Sequence, residues 1–260
     1  MPEGWQAAGQ AWGHRAVDWA ALAEPVFWPA YEAVFARVSL GPGERLCDVA
    51  CGSGGALVVA ARRGAVTAGL DASTSLVEVA RHRTGHSDVR VGDQDDLPWD
   101  DDTFDVVTSF NGIWHGGDRA LAEVARVTRP AGRIAITFWG PWDQMQWLSF
   151  LFALNVVSAP GELEANRDHV SIGEAGVGEA MFARAGIDVV ERFDVDTETL
   201  WPDDEIAWRS MASSGVGYGA IAHSGEEAAR SAALAALAPF WVDGVGYRTT
   251  NRVSALVGRA

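Results

Sequence analysis

Asp48, Asp71 and His115, with the glycines at 52 and 54, have the types and spacing to do chemistry. Asp48 stands four residues before Gly52, within Leu46-Cys47-Asp48-Val49-Ala50-Cys51-Gly52-Ser53-Gly54-Gly55. A short apolar run there ends in a glycine-rich turn, and an alanine- and valine-rich run, Ala56 to Ala61, follows. The pattern is strand, tight turn, helix. Glycine takes positive φ without strain and lets a ligand approach the backbone. The helix opening behind the turn points its unpaired N–H groups at whatever lies above it. A carboxylate at Asp48 can anchor this loop or a ligand amine. A second strand, Val66 to Leu70, ends in Asp71, and an acid at the tip of the second strand of a βαβ unit suits the hydroxyls of a ribose. The segment reads as the seat of a nucleoside-containing cofactor. Gly52-x-Gly54 does not say which one. A dinucleotide fingerprint wants a third glycine three residues after Gly54, and Leu57 stands there. His115, in Asn111-Gly112-Ile113-Trp114-His115, follows the fourth strand. That puts it at the carboxyl edge of the sheet, where ligands bind in such folds. It is the leading candidate for a base or substrate contact; the bland alternative is a structural or solvated histidine. His14, His169 and His223 fall in segments expected to cover the site, and His82 and His86 flank a helix end.

The elements that must position these residues alternate along the chain. Residues 1 to 40 read as helical. Trp5, Trp12 and Trp19 recur every seven residues, near one face of a helix or of two successive helices. Pro25 and Pro29 interrupt the pattern, and Tyr31 to Val38 is a further helix. The tryptophan stripe either packs on the main body or lines a lid over the site, and the two are compatible. After Asp71, Ala72-Ser73-Thr74-Ser75 caps a helix running to about Thr84. Asp88 to Val91 is a short strand, followed by the acidic turn Gly92 to Trp99. Phe104 to Phe110 is a buried parallel strand, Asn111 to Gly117 a loop, and Asp118 to Val127 a helix. Arg129-Pro130-Ala131-Gly132 stops that helix before a fifth strand, Arg133 to Trp139. Alternation of this kind predicts an α/β fold with a doubly wound, mostly parallel sheet.

Beyond Gly140 the rhythm changes. Trp142 to Val157 reads as an apolar helix and Gly161 to Gly173 as a polar loop. Gly178 to Ala185 is a helix and Ile187 to Val195 a strand; Asp203 to Ser213 and Glu226 to Leu237 are helices, and Arg252 to Val257 is a last strand. The expected organisation is one domain over residues 1–260. It has an N-terminal helical lid over 1–40, a cofactor core over 44–139 and substrate-side insertions and last strands over 140–250.

Composition removes several function classes. The 260 residues are 48% hydrophobic and carry a net charge of −15. All 20 basic residues are arginine, so a lysine Schiff base or lysine general base is excluded. The acidic balance argues against nucleic acid as a partner, which needs a basic face to displace counterions. Cys47 and Cys51 have no further cysteine to complete a zinc set, so no metal is expected. No signal-peptide pattern or membrane-length apolar run is visible, and a soluble, cytoplasmic monomer or homodimer is expected.

The ordered motifs resemble the class I S-adenosylmethionine-dependent methyltransferases, in the small-molecule group related to the ubiquinone/menaquinone-biosynthesis C-methyltransferases. The resemblance is carried by Asp48 to Gly54, Gly69-Leu70-Asp71-Ala72-Ser73, Gly92-Asp93 with Leu97-Pro98-Trp99, Phe104-Asp105-Val106-Val107, and Glu123-x-x-Arg126-Val127 with Arg129-Pro130-Ala131-Gly132. It covers about residues 44 to 139. Ala131 stands where the family usually has glycine, and Trp99 where it usually has phenylalanine. The resemblance implies a Rossmann-like seven-stranded sheet and S-adenosylmethionine as cofactor. It implies that Ala50, Gly52 and Gly54 line the methionine moiety with Asp48 nearby, and that Asp71, beside Ala72, takes the ribose hydroxyls. Asp93 would accept from the adenine amine, Gln94 would offer its backbone N–H to the ring, and Phe110 and Asn111 would sit near the methionine end. The Asn/Asp-Pro-Pro-aromatic tetrad of nucleic-acid amino-methyltransferases is replaced by Asn111-Gly112-Ile113-Trp114. A small, partly apolar or aromatic acceptor, methylated at oxygen, nitrogen or carbon, is the expectation. The alternatives are an S-adenosylmethionine-binding protein that catalyses a pericyclic or cyclisation reaction, since fold does not fix chemistry, and, behind it, a nicotinamide-dependent oxidoreductase.

Overall fold

The computed structural model describes residues 4–85, 87–140 and 144–260. His86 and the start of the expected Trp142–Val157 helix lie outside the described residues. Strands β1 (Arg45–Val49), β2 (Val66–Asp71), β3 (Asp88–Val91), β4 (Phe104–Phe110) and β5 (Thr128–Trp139) lie parallel in the order β3-β2-β1-β4-β5. The sheet continues through β6 (Asp188–Trp201), the two-residue β7 (Trp241–Val242) and β8 (Gly246–Arg259). β8 inserts antiparallel between β5 and β6, and β7 pairs with it. Among the described residues seven strands form the main path, as expected, and β7 makes an eighth.

Side chains alternate across the sheet with the period of two that a pleated strand imposes. Leu46, Val106 and Ala135 enter one core; Cys47, Val107 and Ile134 enter the other. Helices fill both faces. The sequence supplies α1 (Gly4–Gly13), the short turn α2 (Ala16–Asp18), α3 (Trp28–Arg37), α4 (Gly55–Arg62), α5 (Thr74–Thr84) and α6 (Asp118–Val127). Later come α7 (Leu148–Val156), α8 (Glu162–Val170), α9 (Val177–Arg184), α10 (Asp204–Ala212), α11 (Gly215–Ser224) and α12 (Glu226–Leu237). Among the described residues no helix is long and apolar enough to cross a membrane.

Three expectations need correction. Gly161–Gly173 is not a loop, because Glu162–Val170 forms α8, a helix with no fully buried residue and so no apolar stripe to announce it. The expected strands Ile187–Val195 and Arg252–Val257 are β6 and β8, which run to 14 residues each, longer than the apolar runs that were visible. The stretch from Arg129 to Gly132 lies within β5, where the register against β4 shifts between Phe104 and Val106 and Ala131 adopts a φ of 62°. The N-terminal tryptophans occupy two segments: Trp5 and Trp12 lie on α1, and Trp19 opens the turn after α2.

Candidate functional site

The parallel strands deliver their carboxyl ends to one cavity of about 830 Å³. Ala50, at the end of β1, takes a left-handed φ of 58°, and Gly52 follows at 55° and Gly54 at 82°. Ala50 keeps its methyl there because Gly112 has none: a Cβ on Gly112 would lie 2.3 Å from that of Ala50. Asp71, at the end of β2, is the tie between two loops. Its Oδ2 accepts the Gly52 N–H at 2.8 Å and its Oδ1 accepts the Ser73 N–H at 2.8 Å. Each oxygen keeps a further lone pair. Burial raises the Asp71 pKa, and the two N–H bonds work against that.

Asp48 is 1% exposed and accepts the Thr108 hydroxyl on Oδ1 at 2.7 Å. Burial pushes its carboxyl up to about 8; the Thr108 bond opposes the shift, and the charges of Glu24 and Asp71 add to it. Glu24 is a site residue that the sequence did not announce. It is 2% exposed, lines the cavity, accepts the Gly55 N–H at the start of α4 at 3.1 Å, and pairs with Arg83. Arg83 in turn donates to the Ser53 carbonyl at 3.0 Å and hydroxyl at 2.9 Å. The carboxylate therefore occupies the helix terminus where the pyrophosphate of a dinucleotide would sit. A Cβ on Gly55 would meet Glu24 Oε2 at 2.7 Å, so the fit needs glycine.

Of the sequence candidates, Asp48, Ala50, Gly52, Asp71, Ala72, Asp93, Gln94, Phe110 and Asn111 all line the cavity. Asp93 also caps its own turn, accepting the Asp95 N–H at 3.0 Å. Asn111 accepts the Thr137 hydroxyl at 2.7 Å, while its buried Nδ2 has no hydrogen-bond partner among the described residues. Gly54 is not among the lining residues: it precedes α4, and a Cβ there would stand 3.0 Å from that of Ala80 on α5. His115 is also outside the lining. Its ring is 3.2 Å from Asp168, and its N–H donates to the His169 carbonyl at 3.0 Å. Among the described residues, the histidine on the cavity wall is His169. The Glu123–Arg126 motif is structural. Glu123 accepts the Leu97 N–H, and Arg126 donates to the carbonyls of Leu97 and Trp99, which fixes the turn after Asp93.

Trp5, Trp12 and Trp19 all line the cavity, so the N-terminal segment both packs and covers. It docks through glycine. A Cβ on Gly9 would lie 2.2 Å from the Ala72 carbonyl oxygen, and one on Gly13 1.9 Å from Ser73 Oγ. Among the described residues no arginine lines the acidic end of the cavity; Arg83 pairs with Glu24 from outside the lining. Carboxylates for hydroxyls and amines, exposed loop backbone and a shortage of positive charge together fit a nucleoside that bears a cationic group.

Residues 47–136 match the family model described as a methyltransferase domain. The sheet around that segment has the fold of the Rossmann-like methyltransferases. An uncharacterised protein of Mycobacterium tuberculosis H37Rv is 35% identical over 136 residues, covering 48% of this chain and 50% of that one. The demethylmenaquinone methyltransferase of Corynebacterium kroppenstedtii is 36% identical over 102 residues, covering 38% and 44%. The chain thus spans about half the length of the curated relatives it matches. Among solved structures, a candidate methyltransferase from Bacillus halodurans C-125 superposes with a TM-score of 0.59 at 17% identity, covering 88% of this chain and 97% of that one. The [4+2]-cyclase SpnF superposes at 0.56 with 19% identity, covering 88% and 80%.

Proposed function

We propose that this chain is an S-adenosylmethionine-dependent methyltransferase acting on a small-molecule acceptor, with residues 1–40 and 140–250 covering one cofactor domain. The observation that carries the reading is the tie through Asp71. One carboxylate at the end of β2 holds both the glycine loop and the loop capping α5; it lines the cavity and lies inside the segment that matches the methyltransferase domain. Asp71 would take the ribose hydroxyls, Asp93 and Gln94 the adenine, and Ala50, Gly52, Asp48, Phe110 and Asn111 the methionine end. Ala72 would border the ribose from the cavity wall, and Gly54 would shape the glycine loop from behind. The cofactor supplies a methyl group already activated on a sulfonium. The chain has to align an acceptor in line with it and keep water out. Phe27, Trp139 and Trp147 line the same cavity and provide dry aromatic walls. Where the acceptor must lose a proton, His169 faces the cavity, and His115 holds the helix carrying it through Asp168.

Calorimetric titration with S-adenosylhomocysteine and with NAD tests the assignment. We expect S-adenosylhomocysteine to bind and Asp71→Ala to weaken it at least about tenfold, as loss of charge-assisted hydrogen bonds does. Binding of NAD alone would sink it, and the Glu24 carboxylate at the α4 terminus argues against that outcome. The likeness to a cyclase keeps a non-methylating reaction as the second reading. Product formed without stoichiometric S-adenosylhomocysteine would select it.

A further inference from the structure

The cavity is unevenly charged. Around the glycine loop it is lined by Glu24, Asp48, Asp71, Asp93 and Asp95. A different wall is made by α7 and α8, and from α8 comes Arg167, the one arginine lining the cavity among the described residues. The chain has 35 acidic residues for 20 basic ones, and arginines elsewhere are typically paired, as Arg192 is with Glu179 and Arg252 with Asp196. Arg167 makes no ion pair and no side-chain hydrogen bond among the described residues, although Glu162 of the same helix lines the same wall.

The helix that carries it is fastened on both sides. Asn166 donates to Asn155 Oδ1 of α7 at 2.8 Å. Its other end accepts the His115 N–H from the loop after β4 at 3.0 Å. The guanidinium thus stands on a wall tied to the loop that carries Asn111. The neighbouring interior is aromatic: Trp147 meets Trp139 at 5.3 Å, Phe150 at 5.6 Å and Trp201 at 5.9 Å between ring centroids. A cavity of about 830 Å³ exceeds what one small ligand needs and has room for a cofactor and an acceptor together.

Resting on the methyltransferase reading of this cavity, we propose that the acceptor is an amphipathic small molecule whose aromatic or apolar body lies against the Trp139–Trp147–Phe150 wall and whose oxyanion, a carboxylate or a phosphate, is bound by Arg167. The planar guanidinium fork matches either oxyanion. Arg167 is exposed, so the pair forms where water still reaches it and the desolvation cost of a buried charge is avoided. The acidic glycine-loop end repels the same group, so the field within the cavity sets the orientation of the acceptor.

The test uses the full chain and three probes of one shape: naphthylacetate, naphthyl phosphate and the neutral naphthylacetamide. Each is titrated with and without saturating S-adenosylhomocysteine. We expect at least one anionic probe to bind about tenfold more tightly than the amide, and the better of the two identifies the oxyanion. Arg167→Gln should abolish that preference, and Arg167→Lys should keep part of it. Amide binding should be unchanged in both variants, which separates loss of charge recognition from loss of the wall. Anions that bind no better than the amide, or a preference that survives Arg167→Gln, overturn the proposal. Failure of S-adenosylhomocysteine to bind sinks the cofactor reading instead, and the anion preference measured without it stands or falls separately.

Discussion

At the scale of residues, Asp48 makes the sharpest demand on experiment. Its pKa is raised by burial to about 8, above the ordinary value for an unfolded aspartate. The folded protein then holds a proton that the unfolded chain releases between about pH 4 and pH 8. Stability must fall as pH rises through that window, with a slope up to about 1.4 kcal/mol per pH unit from this group. Asp48→Asn keeps the shape and removes the titration. Urea midpoints should therefore decline less between pH 5 and 8 in the variant than in the parent, and equal slopes would show that Asp48 is ionised throughout. A cation bound beside Asp48 favours its charged form, so S-adenosylmethionine affinity should rise with pH in the parent and stay flat in Asp48→Asn. Ala131 offers a second test. Its φ of 62° strains any residue with a Cβ. Ala131→Gly should stabilise the fold by about 1 kcal/mol in urea denaturation. A lower midpoint would mean that the methyl contributes more by packing than the backbone loses in strain.

At the scale of elements, α1 packs on the loop that follows Asp71. Gly9 and Gly13 bring its backbone onto Ala72 and Ser73, and Ser75 Oγ donates to the Gly13 carbonyl at 2.7 Å. Gly9→Ala favours the helix itself by about 1 kcal/mol, yet its Cβ would stand 2.2 Å from the Ala72 carbonyl oxygen. The variant should hold its urea midpoint to within about 1 kcal/mol while S-adenosylhomocysteine affinity falls severalfold, because α1 is pushed off the loop behind Asp71. Unchanged affinity would show that α1 packs without shaping the site. How much was legible follows from the same physics. The strand–loop–helix at Asp48–Gly54 and the helix Asp118–Val127 were readable, because local pattern and tertiary role coincide there. Glu24 was not: its partners Gly55 and Arg83 lie 31 and 59 residues away, and nothing local marks it. The Gly215–Ser224 helix was missed as well, since Gly-Val-Gly-Tyr-Gly-Ala has neither an apolar period nor helix propensity. His115 stands at the expected edge of the sheet, but the loop after β4 turns it to Asp168, a choice made by α8 and invisible in a helix without an apolar face.

At the scale of the whole molecule, a net charge of −15 surrounds a site whose proposed ligand is a cation. Two electrostatic contributions to cofactor affinity should be separable. The long-range field of the protein is screened beyond about 10 Å at 0.1 M salt. A contact with Asp48, buried in the cavity wall, would be screened much less. S-adenosylmethionine differs from S-adenosylhomocysteine by one methyl and the positive charge it leaves on sulfur, so the salt dependence of their affinity ratio isolates the charge from the rest of the binding. Raising sodium chloride from about 0.05 M to about 0.5 M should weaken S-adenosylmethionine severalfold and leave S-adenosylhomocysteine nearly unchanged. The part of the ratio that survives high salt should then fall in Asp48→Asn, because it reports the local carboxylate. If both ligands weaken equally with salt, the acidic surface plays no part in choosing the cation. If the residual ratio is the same in Asp48→Asn, the selectivity resides in Glu24 and Asp71 rather than in Asp48.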